Sequence, residues 1–277
     1  MREVTREEIK KIQLDELDYI VNICNENNID YFLTCGTLLG AVKYNGFIPW
    51  DDDIDIGLKR IDYLRLLSIL EKENNSDYRV LSIYNTRDYY YPFAKLVYTK
   101  TKVIEACREI KDLGVYIDIF PYDYYNEDYE EYMHKIRFYR NMTINRYRIK
   151  QYVPKSSNLK KKVFKTNFLW FKKFVYYMID IISLPLGHSF WVKRYDKLVS
   201  MNDSGKYMAR GCKDDPKFDE KLFSEYKDYV FENKKYKSLK NANKYLKEIY
   251  GDYKKDLPLD MQRTHHVMMA YWRDENE

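Results

Sequence analysis

The sequence has few of the residues that interrupt secondary structure or cross-link a chain. It contains 9 glycines, 7 prolines and 4 cysteines among 277 residues, and the cysteines are far apart. It has no Cys-x-x-Cys pair and no closely spaced Cys/His cluster, so a zinc-type site is not expected. The scattered cysteines indicate reduced thiols in a cytosolic protein.

The chain also lacks a hydrophobic leader and a large charge excess. It starts Met1-Arg2-Glu3 and continues into a polar helix, so export is not expected and we predict a cytoplasmic location. Its 48 basic and 43 acidic residues give a formal charge of +5, too small to indicate a nucleic-acid partner. A hydrophobic content of 45% fits an ordered soluble protein.

What the chain has in abundance is tyrosine, with 30 residues. This aromatic surface must be buried, stacked or used at an interface. Codon bias alone is an alternative explanation.

The first part of the chain predicts an α/β domain. Thr5-x-x-Glu8 is a capping box that starts an amphipathic helix ending near Asn27. A strand at 31–34, a turn at Gly36 and a helix at 38–43 follow, and 47–57 is a loop that enters a strand. Residues 61–70 are predicted as a helix, and further strands are predicted at 79–83, 91–99, 103–107 and 115–120.

The second part predicts a helical region and a small α+β segment. Helical patterns cover 127–149 and an apolar stretch at 168–186, which Pro185 and Gly187 end. A hairpin at 229–236 and a helix at 241–250 follow. We predict three regions: a catalytic core at 1–126, a helical basic and apolar region at 127–200, and a C-terminal segment at 201–277 that completes the active site.

Four carboxylates are concentrated in the five residues from Asp51 to Asp55. Like charges at this density repel one another unless a cation neutralises them. Mg²⁺ or Mn²⁺ prefers oxygen ligands, and Asp53 and Asp55 on one strand face suit such an ion. A solvated acidic turn is the alternative, but the alternating Ile54 and Ile56 favour a rigid strand.

Two further positions fit a phosphate-handling site. Gly36 and Thr37 lie between a strand and a helix, where backbone N–H groups suit a phosphate, although such a turn alone is weak evidence. Asp118 is a lone charge in an apolar strand, which is costly without an ion or a partner. A salt bridge at the end of the strand is the alternative for Asp118.

These motifs resemble known families. Gly36-Thr37 followed by Asp53-x-Asp55 resembles the nucleotidyltransferase superfamily, although Thr37 replaces the usual Ser and the gap is long. The string GTLLGAVKYNGFIPWDDDID at 36–55 looks like the diagnostic block of the LicD family, which includes bacterial phosphocholine transferases and resembles fukutin-related proteins. The resemblance extends to Phe93-Ala-Lys95, Ile117–Pro121, Tyr250-Gly-Asp-Tyr253, Leu257-Pro258, Arg263 and His265-His266.

The resemblance implies a nucleotidyltransferase-type mixed sheet of the α/β (α+β) class. It implies that Asp53 and Asp55 bind the metal and that Asp118 is the third acidic residue. The metal would bridge a donor pyrophosphate and neutralise the charge that develops on the transferred group. Asp118 is also a candidate acceptor for the proton of the attacking hydroxyl.

The resemblance also implies a reaction. A substituted phosphate, most simply phosphocholine, moves from a CDP-linked donor to a sugar hydroxyl of a cell-surface glycan, such as a teichoic acid, capsule or lipopolysaccharide precursor, and CMP leaves. Nucleotidyl transfer with release of pyrophosphate is one alternative. A non-catalytic membrane-binding or glycan-binding protein of the same fold is another.

Several other residues are candidate substrate contacts. Lys95 and Arg263 are expected to meet the phosphates, and His265 with His266 to order the C-terminal part of the site. Aromatic rings are expected to enclose the quaternary ammonium of choline. The candidates for this cage are Trp50, Tyr89, Tyr90, Tyr91, Tyr122, Tyr124 and Tyr125.

A basic segment at 160–173 alternates lysines with apolar residues. This pattern is typical of an interfacial helix on an anionic membrane. The apolar run at 174–186 contains Asp180 and is too short to span a bilayer, so we predict peripheral binding to the inner face of the plasma membrane. A core helix is the alternative.

Overall fold

The computed structural model describes residues 1–73, 75–105, 109–148, 170–187, 189–210, 216–258, 262 and 268–274. The chain opens with α1 (Arg6–Glu26), and both hydrogen bonds of the predicted capping box between Thr5 and Glu8 are present. The helix ends at its C-cap residue, Asn27, as predicted.

A curled mixed sheet forms the centre of the molecule, which confirms the predicted fold class. Its main path is β1-β2-β6-β4-β3, and β2 and β6 are parallel whereas the other neighbours on this path are antiparallel. The strands are β1 (Phe32–Leu33), β2 (Asp55–Lys59), β3 (Tyr78–Leu81), β4 (Ala94–Tyr98) and β6 (Tyr116–Tyr125).

The two central strands separate a hydrophobic core from the predicted site. Ile56 of β2 and Ile119 of β6 are fully buried and share one core with residues of α1 and of α3 (Arg60–Lys72). Because side chains alternate across a strand, Asp55 and Asp118 lie on the opposite face. The alternation therefore gives the sheet one apolar face and one face with carboxylates.

The predicted elements are present, with shifted ends. The helix α2 (Cys35–Tyr44) begins three residues earlier than predicted, and β6 continues five residues beyond the predicted end at 120. The remaining elements are β5 (Thr101–Glu105), α4 (Tyr129–Arg148), α5 (Trp170–Ile182), α6 (Phe190–Val199), β7 (Tyr207–Ala209), β8 (Phe218–Asp219), β9 (Tyr226–Phe231), β10 (Lys234–Leu239), α7 (Ala242–Tyr250) and β11 (Met268–Trp272).

The C-terminal elements pack into the core of the first region. β7 pairs with the end of β6, β11 pairs with β5, and the predicted hairpin is present as β9 and β10. The hydroxyl groups of Thr34, Tyr122 and Tyr245 form a buried cluster, in which the Tyr122 hydroxyl lies 2.6 Å from each of the other two. This cluster ties α7 to β1 and β6, and the division into three regions stays a prediction.

An ionic network attaches α6 to the sheet. The guanidinium of Arg60 donates to both oxygens of Asp123 at 2.7 Å and to Asp196 of α6 at 2.9 Å. All three side chains are buried, so this network holds the helical region against the core. Among the residues that the structure describes, no helix combines the length and hydrophobicity needed to cross a membrane.

Candidate active site

Three of the predicted carboxylates converge. Oxygen atoms of Asp53, Asp55 and Asp118 all lie within 4.8 Å of one another. The parallel register of β2 and β6 pairs Asp55 with Asp118, and both residues are buried. Asp53 lies in the loop before β2 rather than in the strand, because the strand begins at Asp55.

Lys95 is bound to this carboxylate cluster. The antiparallel register of β4 and β6 places Lys95 beside Asp118, and its Nζ lies 2.7 Å from Oδ1 of Asp118. The lysine side chain is 2% exposed, and its Nζ is 3.4 Å from the centroid of the Tyr116 ring. Lys95 therefore holds Asp118 in place, and its predicted contact with the phosphates stays a prediction.

The donor set fits a hard divalent cation. Three ionised carboxylates and one lysine ammonium carry a net formal charge of minus two, which a divalent ion would balance. The donors are all carboxylate oxygens, the type that Mg²⁺ and Mn²⁺ prefer. Asp53, Asp55 and Asp118 are thus the residues of this cluster that would hold such an ion.

Gly36 and Thr37 lie in the first turn of α2 and support the acidic loop. The hydroxyl of Thr37 accepts a 2.7 Å hydrogen bond from the backbone N–H of Asp55. A Cβ atom at Gly36 would lie 2.6 Å from Oδ2 of Asp51, so only glycine lets this carboxylate approach the helix. These contacts position the carboxylates, and the predicted contact of both residues with a phosphate stays a prediction.

Side chains of α1 hold the loop before β2 in place through hydrogen bonds to its backbone. Arg6 donates to the carbonyl oxygens of Pro49 and Asp51, both at 3.1 Å. Nε2 of the buried Gln13 donates to the carbonyls of Asp52 at 3.0 Å and Tyr116 at 3.1 Å. The sequence analysis did not identify Gln13, although a glutamine on the apolar face of α1 was a visible signal for it.

A second buried polar residue of α1 changes the charge near the site. Glu16 is fully buried, and this burial, together with the negative charges of Asp118 and Asp15, raises its pKa well above the ordinary value. Burial therefore favours the neutral form of Glu16, which adds less negative charge beside the carboxylate cluster than an ionised carboxylate would.

An aromatic pocket opens beside the carboxylates. It has a volume of about 310 Å³, and Asp53 and Asp55 form part of its lining. Trp50, a predicted substrate contact, lies in this pocket together with three tyrosines that the sequence analysis did not select for the choline cage. The aromatic lining consists of Tyr44, Trp50, Tyr250 and Tyr253.

The tyrosines that the sequence analysis selected for a choline cage are mostly in the core. Tyr89, Tyr90, Tyr122 and Tyr125 have no exposed surface, so they are not available to enclose a ligand. Tyr91 and Tyr124 are half-buried and do not line the aromatic pocket. Nearness to the carboxylates in sequence did not bring these rings into the pocket, because Tyr89 and Tyr90 before β4 and Tyr122 and Tyr125 on β6 pack into the core.

Arg210 is a cation near the pocket that the sequence analysis missed. It lies just after β7, its guanidinium contacts Sγ of Cys35, and the guanidinium carbon is 5.4 Å from the centroid of the Phe120 ring. Cys35 lines the pocket, and Phe120 is two residues after Asp118 on the same strand face. The strand pairing of β7 with β6 brings this arginine to the site.

Three predicted site residues lie outside the described part of the chain. These are Arg263, His265 and His266, whose contacts with substrate stay predictions. The same applies to the basic segment at 160–169. The structure shows the positions of the carboxylates, Lys95, Gly36, Thr37 and Trp50, and their contacts with substrate stay predictions.

Comparison with known proteins identifies the family. The family model "LicD/FKTN/FKRP, nucleotidyltransferase domain" matches residues 28–157. Lipopolysaccharide cholinephosphotransferase LicD of Haemophilus influenzae is 26% identical over 98% of this chain and 99% of its own length. Ribitol 5-phosphate transferase FKRP of human is 40% identical over 40 residues, which are 14% of this chain and 8% of FKRP. The family-model match includes Asp53, Asp55, Asp118 and the loop before β2, so this part of the sequence belongs to the LicD-type nucleotidyltransferase domains.

Proposed function

We propose that this protein is a metal-dependent phosphotransferase that moves phosphocholine from a CDP-linked donor to a sugar hydroxyl of a glycan. The observation that carries the proposal is the convergence of Asp53, Asp55 and Asp118 beside an aromatic pocket. Similarity to a cholinephosphotransferase over nearly the whole chain supports the same reaction type and donor.

In this proposal the three carboxylates hold Mg²⁺ or Mn²⁺. The bound ion would neutralise negative charge on the donor pyrophosphate and on the departing CMP. Thr37 fixes the backbone at Asp55, and Lys95 fixes the carboxylate of Asp118. The residues of the sheet thereby hold the ligand oxygens in place before substrate binds.

The bond changes follow from the donor chemistry. The oxygen of the acceptor hydroxyl attacks the phosphorus that bears choline, and the bond from that phosphorus to the oxygen of CMP breaks. The hydroxyl proton passes to a nearby base or to solvent, and CMP leaves as the second product. Asp118 is a candidate base, but its Oδ1 already accepts from Lys95, which weakens its basicity.

The aromatic pocket is the proposed site for the choline group. A quaternary ammonium has no hydrogen-bond donor, so ring faces are its main recognition element, at about 0.5–2 kcal/mol per ring. Tyr44, Trp50, Tyr250 and Tyr253 supply four rings next to Asp53 and Asp55. The hydroxyl-rich donors CDP-ribitol and CDP-glycerol need polar partners instead, so we expect them to react more slowly.

Arg210 is the proposed partner of the donor phosphates. A guanidinium binds phosphate oxygens through two parallel hydrogen bonds. Arg210 touches a residue of the pocket lining, whereas Lys95 is buried against Asp118. We therefore assign to Arg210 the electrostatic role that the sequence analysis gave to Lys95.

Product analysis tests the proposed function. The protein is incubated with Mg²⁺ or Mn²⁺, a glycan acceptor, and CDP-choline, CDP-ribitol, CDP-glycerol or CTP, and the nucleotide products are separated. We expect metal-dependent release of CMP, fastest with CDP-choline, and no release after the metal is chelated. The acceptor should gain the mass of phosphocholine.

Each alternative has its own result. Equal or faster turnover with the polyol donors would contradict the choline assignment and leave phosphotransfer standing. Turnover with CTP alone, with release of pyrophosphate, would instead indicate nucleotidyl transfer. An absence of turnover with every donor would favour a non-catalytic glycan-binding or membrane-binding protein.

A further inference from the structure

The helix α5 exposes a set of large apolar side chains. Six exposed large apolar residues lie within nine positions of α5. Elsewhere on the described surface such residues occur singly or in pairs. The set, named here the α5 apolar face, consists of Phe174, Val175, Tyr177, Met178, Ile181 and Ile182.

These residues form one continuous strip. At 100° of rotation per residue they fall within an arc of about 160° around the helix axis. The C-terminal end of the helix is attached to α6, because the Ser183 that follows it is buried and its hydroxyl accepts a 2.9 Å hydrogen bond from Nε1 of Trp191. A helix that turns its apolar strip outward is not a core helix, so that alternative from the sequence analysis is wrong for these residues.

The region that carries this strip is strongly basic. Residues 129–200 contain 16 Lys and Arg residues but 4 Asp and Glu residues, whereas the rest of the chain contains 32 basic and 39 acidic residues. Lys193, Arg194 and Lys197 of α6, the helix that contacts Ser183, are exposed. The excess of basic residues is thus concentrated in the same stretch of sequence as the α5 apolar face.

We propose that the α5 apolar face and the basic residues around it dock the protein on an anionic membrane surface. An apolar strip that inserts at the level of the headgroups, together with lysines and arginines that meet anionic lipids, is the combination that binds peripheral helices to a bilayer. A helix of 13 residues is about 20 Å long, which suits a position in the plane of the interface and not a span.

The positive charge also argues against a second copy of this chain as the binding partner of the α5 apolar face. Two copies that met through this face would bring two strongly positive regions together, which costs electrostatic energy. An anionic lipid surface neutralises the same charges. The inference goes beyond the proposed function, and it holds or fails independently of any turnover, since it concerns binding alone.

Co-sedimentation of the full chain with vesicles tests the inference. The vesicles contain phosphatidylcholine alone or phosphatidylcholine with phosphatidylglycerol, at low salt. The test variant is the double substitution Phe174→Glu and Ile182→Glu at exposed positions. The matched control is Ile61→Glu with Leu64→Glu, two exposed apolar residues of α3 on the catalytic core.

We expect the wild type and the α3 control to bind the anionic vesicles and to bind neutral vesicles at least tenfold more weakly. The α5 double variant should lose about tenfold or more of its affinity for anionic vesicles, since it removes apolar contacts and adds negative charge. Lys193→Glu with Lys197→Glu should weaken binding to anionic vesicles and leave binding to neutral vesicles unchanged.

Three results would overturn the inference. They are an absence of binding to anionic vesicles, equal binding by the wild type and the α5 double variant, and equal binding to both kinds of vesicle. A dimer in solution that the α5 substitutions convert to a monomer, without vesicle binding, would assign this face to self-association and would also overturn it.

Discussion

The floor and the wall of the pocket are built in different ways. The floor is the charged cluster of Asp53, Asp55, Asp118 and Lys95, of which Asp53 and Asp55 line the pocket. Asp55, Asp118 and Lys95 lie side by side on three neighbouring strands and are buried. The wall consists of four aromatic residues, which come from α2, the loop after it and the end of α7, and which are partly exposed. Hydrogen bonds of the sheet set the floor, and packing between distant segments sets the wall.

This difference separates chemistry from recognition. Catalysis requires ligand oxygens that are held within a fraction of an ångström, which a central sheet provides. Recognition of a donor tolerates movable side chains on loops, where binding residues are often found. Substitutions in the floor should therefore abolish the reaction, whereas substitutions in the wall should change the preference among donors.

The largest expected effect is in the floor. Asp53→Asn and Asp55→Asn should each lower turnover by about a thousandfold or more, because each removes a proposed metal ligand. The free energy of unfolding should stay constant or rise, because each variant relieves repulsion in the acidic cluster. Steady-state rates and thermal unfolding measure both, with the partly exposed Asp77→Asn as control. A near-normal rate at saturating metal would contradict the assignment.

Asp118→Asn should differ from these two variants in stability. It leaves the ammonium of Lys95 buried without its carboxylate partner, which costs about 3–5 kcal/mol of unfolding free energy. Adding Lys95→Met should restore much of the stability but none of the turnover. Chemical denaturation of the single and double variants checks this. Equal stability of Asp118→Asn and the wild type would show that the pair contributes little.

Arg210 contacts Cys35 of the pocket lining. We expect its substitution to lower kcat/KM less than a floor substitution and more than a wall substitution. Arg210→Met should lower kcat/KM by about 10- to 100-fold, the loss of one charge-assisted bidentate contact. Arg210→Lys should recover part of it, and added guanidinium ion should partly rescue Arg210→Met. The exposed Arg79→Met serves as control. Unchanged kinetics of Arg210→Met alongside active wild type would remove this residue from the phosphate site and leave the reaction standing.

Smaller effects are expected in the wall. Tyr250→Ala and Tyr253→Ala should each reduce the preference for CDP-choline over CDP-glycerol by about 2- to 30-fold, the equivalent of 0.5–2 kcal/mol per ring. The matching Tyr→Phe variants should keep most of the preference because the ring remains. Ratios of kcat/KM for the two donors measure this. An equal loss for Phe and Ala would indicate that the hydroxyl, not the ring, recognises the donor.

The last prediction concerns Glu16, which lies behind the floor, and it is a prediction about stability rather than about turnover. Because its pKa is raised in the folded protein, the stability that its protonated form contributes is present below its unfolded value of about 4.5 and falls as the pH rises toward the folded value. Glu16→Gln removes this titration. The difference in unfolding free energy between Glu16→Gln and the wild type should therefore increase by up to about 1.4 kcal/mol per pH unit above pH 4.5. A difference that is constant between pH 4 and pH 8 would contradict the burial effect.

Most of the floor was predictable from the sequence, whereas Trp50 was the one wall residue that the sequence analysis selected. Alternating Ile54 and Ile56 around Asp55, and the apolar residues around Asp118, indicate strands whose pairing brings the two carboxylates together. Lys95 was identified, but its partner depends on the register of β4 against β6, which a single sequence does not specify.

The wall depends on contacts between residues that are about 200 positions apart. Tyr250 and Tyr253 reach the pocket because the hydroxyl of Tyr245 joins Thr34 and Tyr122 in the core, and no local pattern indicates that contact. The start of α2 was misplaced because Cys35 adopts a φ of +49°, which propensities do not anticipate in a non-glycine residue. Long-range packing and local backbone strain therefore explain why the wall tyrosines and the start of α2 were not predicted.

The central claim is that Asp53, Asp55 and Asp118 hold one divalent ion. Electron paramagnetic resonance of Mn²⁺ titrated into the wild type, Asp55→Asn and the control Asp77→Asn tests it directly, with CDP-choline present in each sample. We predict one bound Mn²⁺ per chain in the wild type and the control, and a loss of at least tenfold in affinity in Asp55→Asn. Equal Mn²⁺ affinity in all three proteins would contradict the claim.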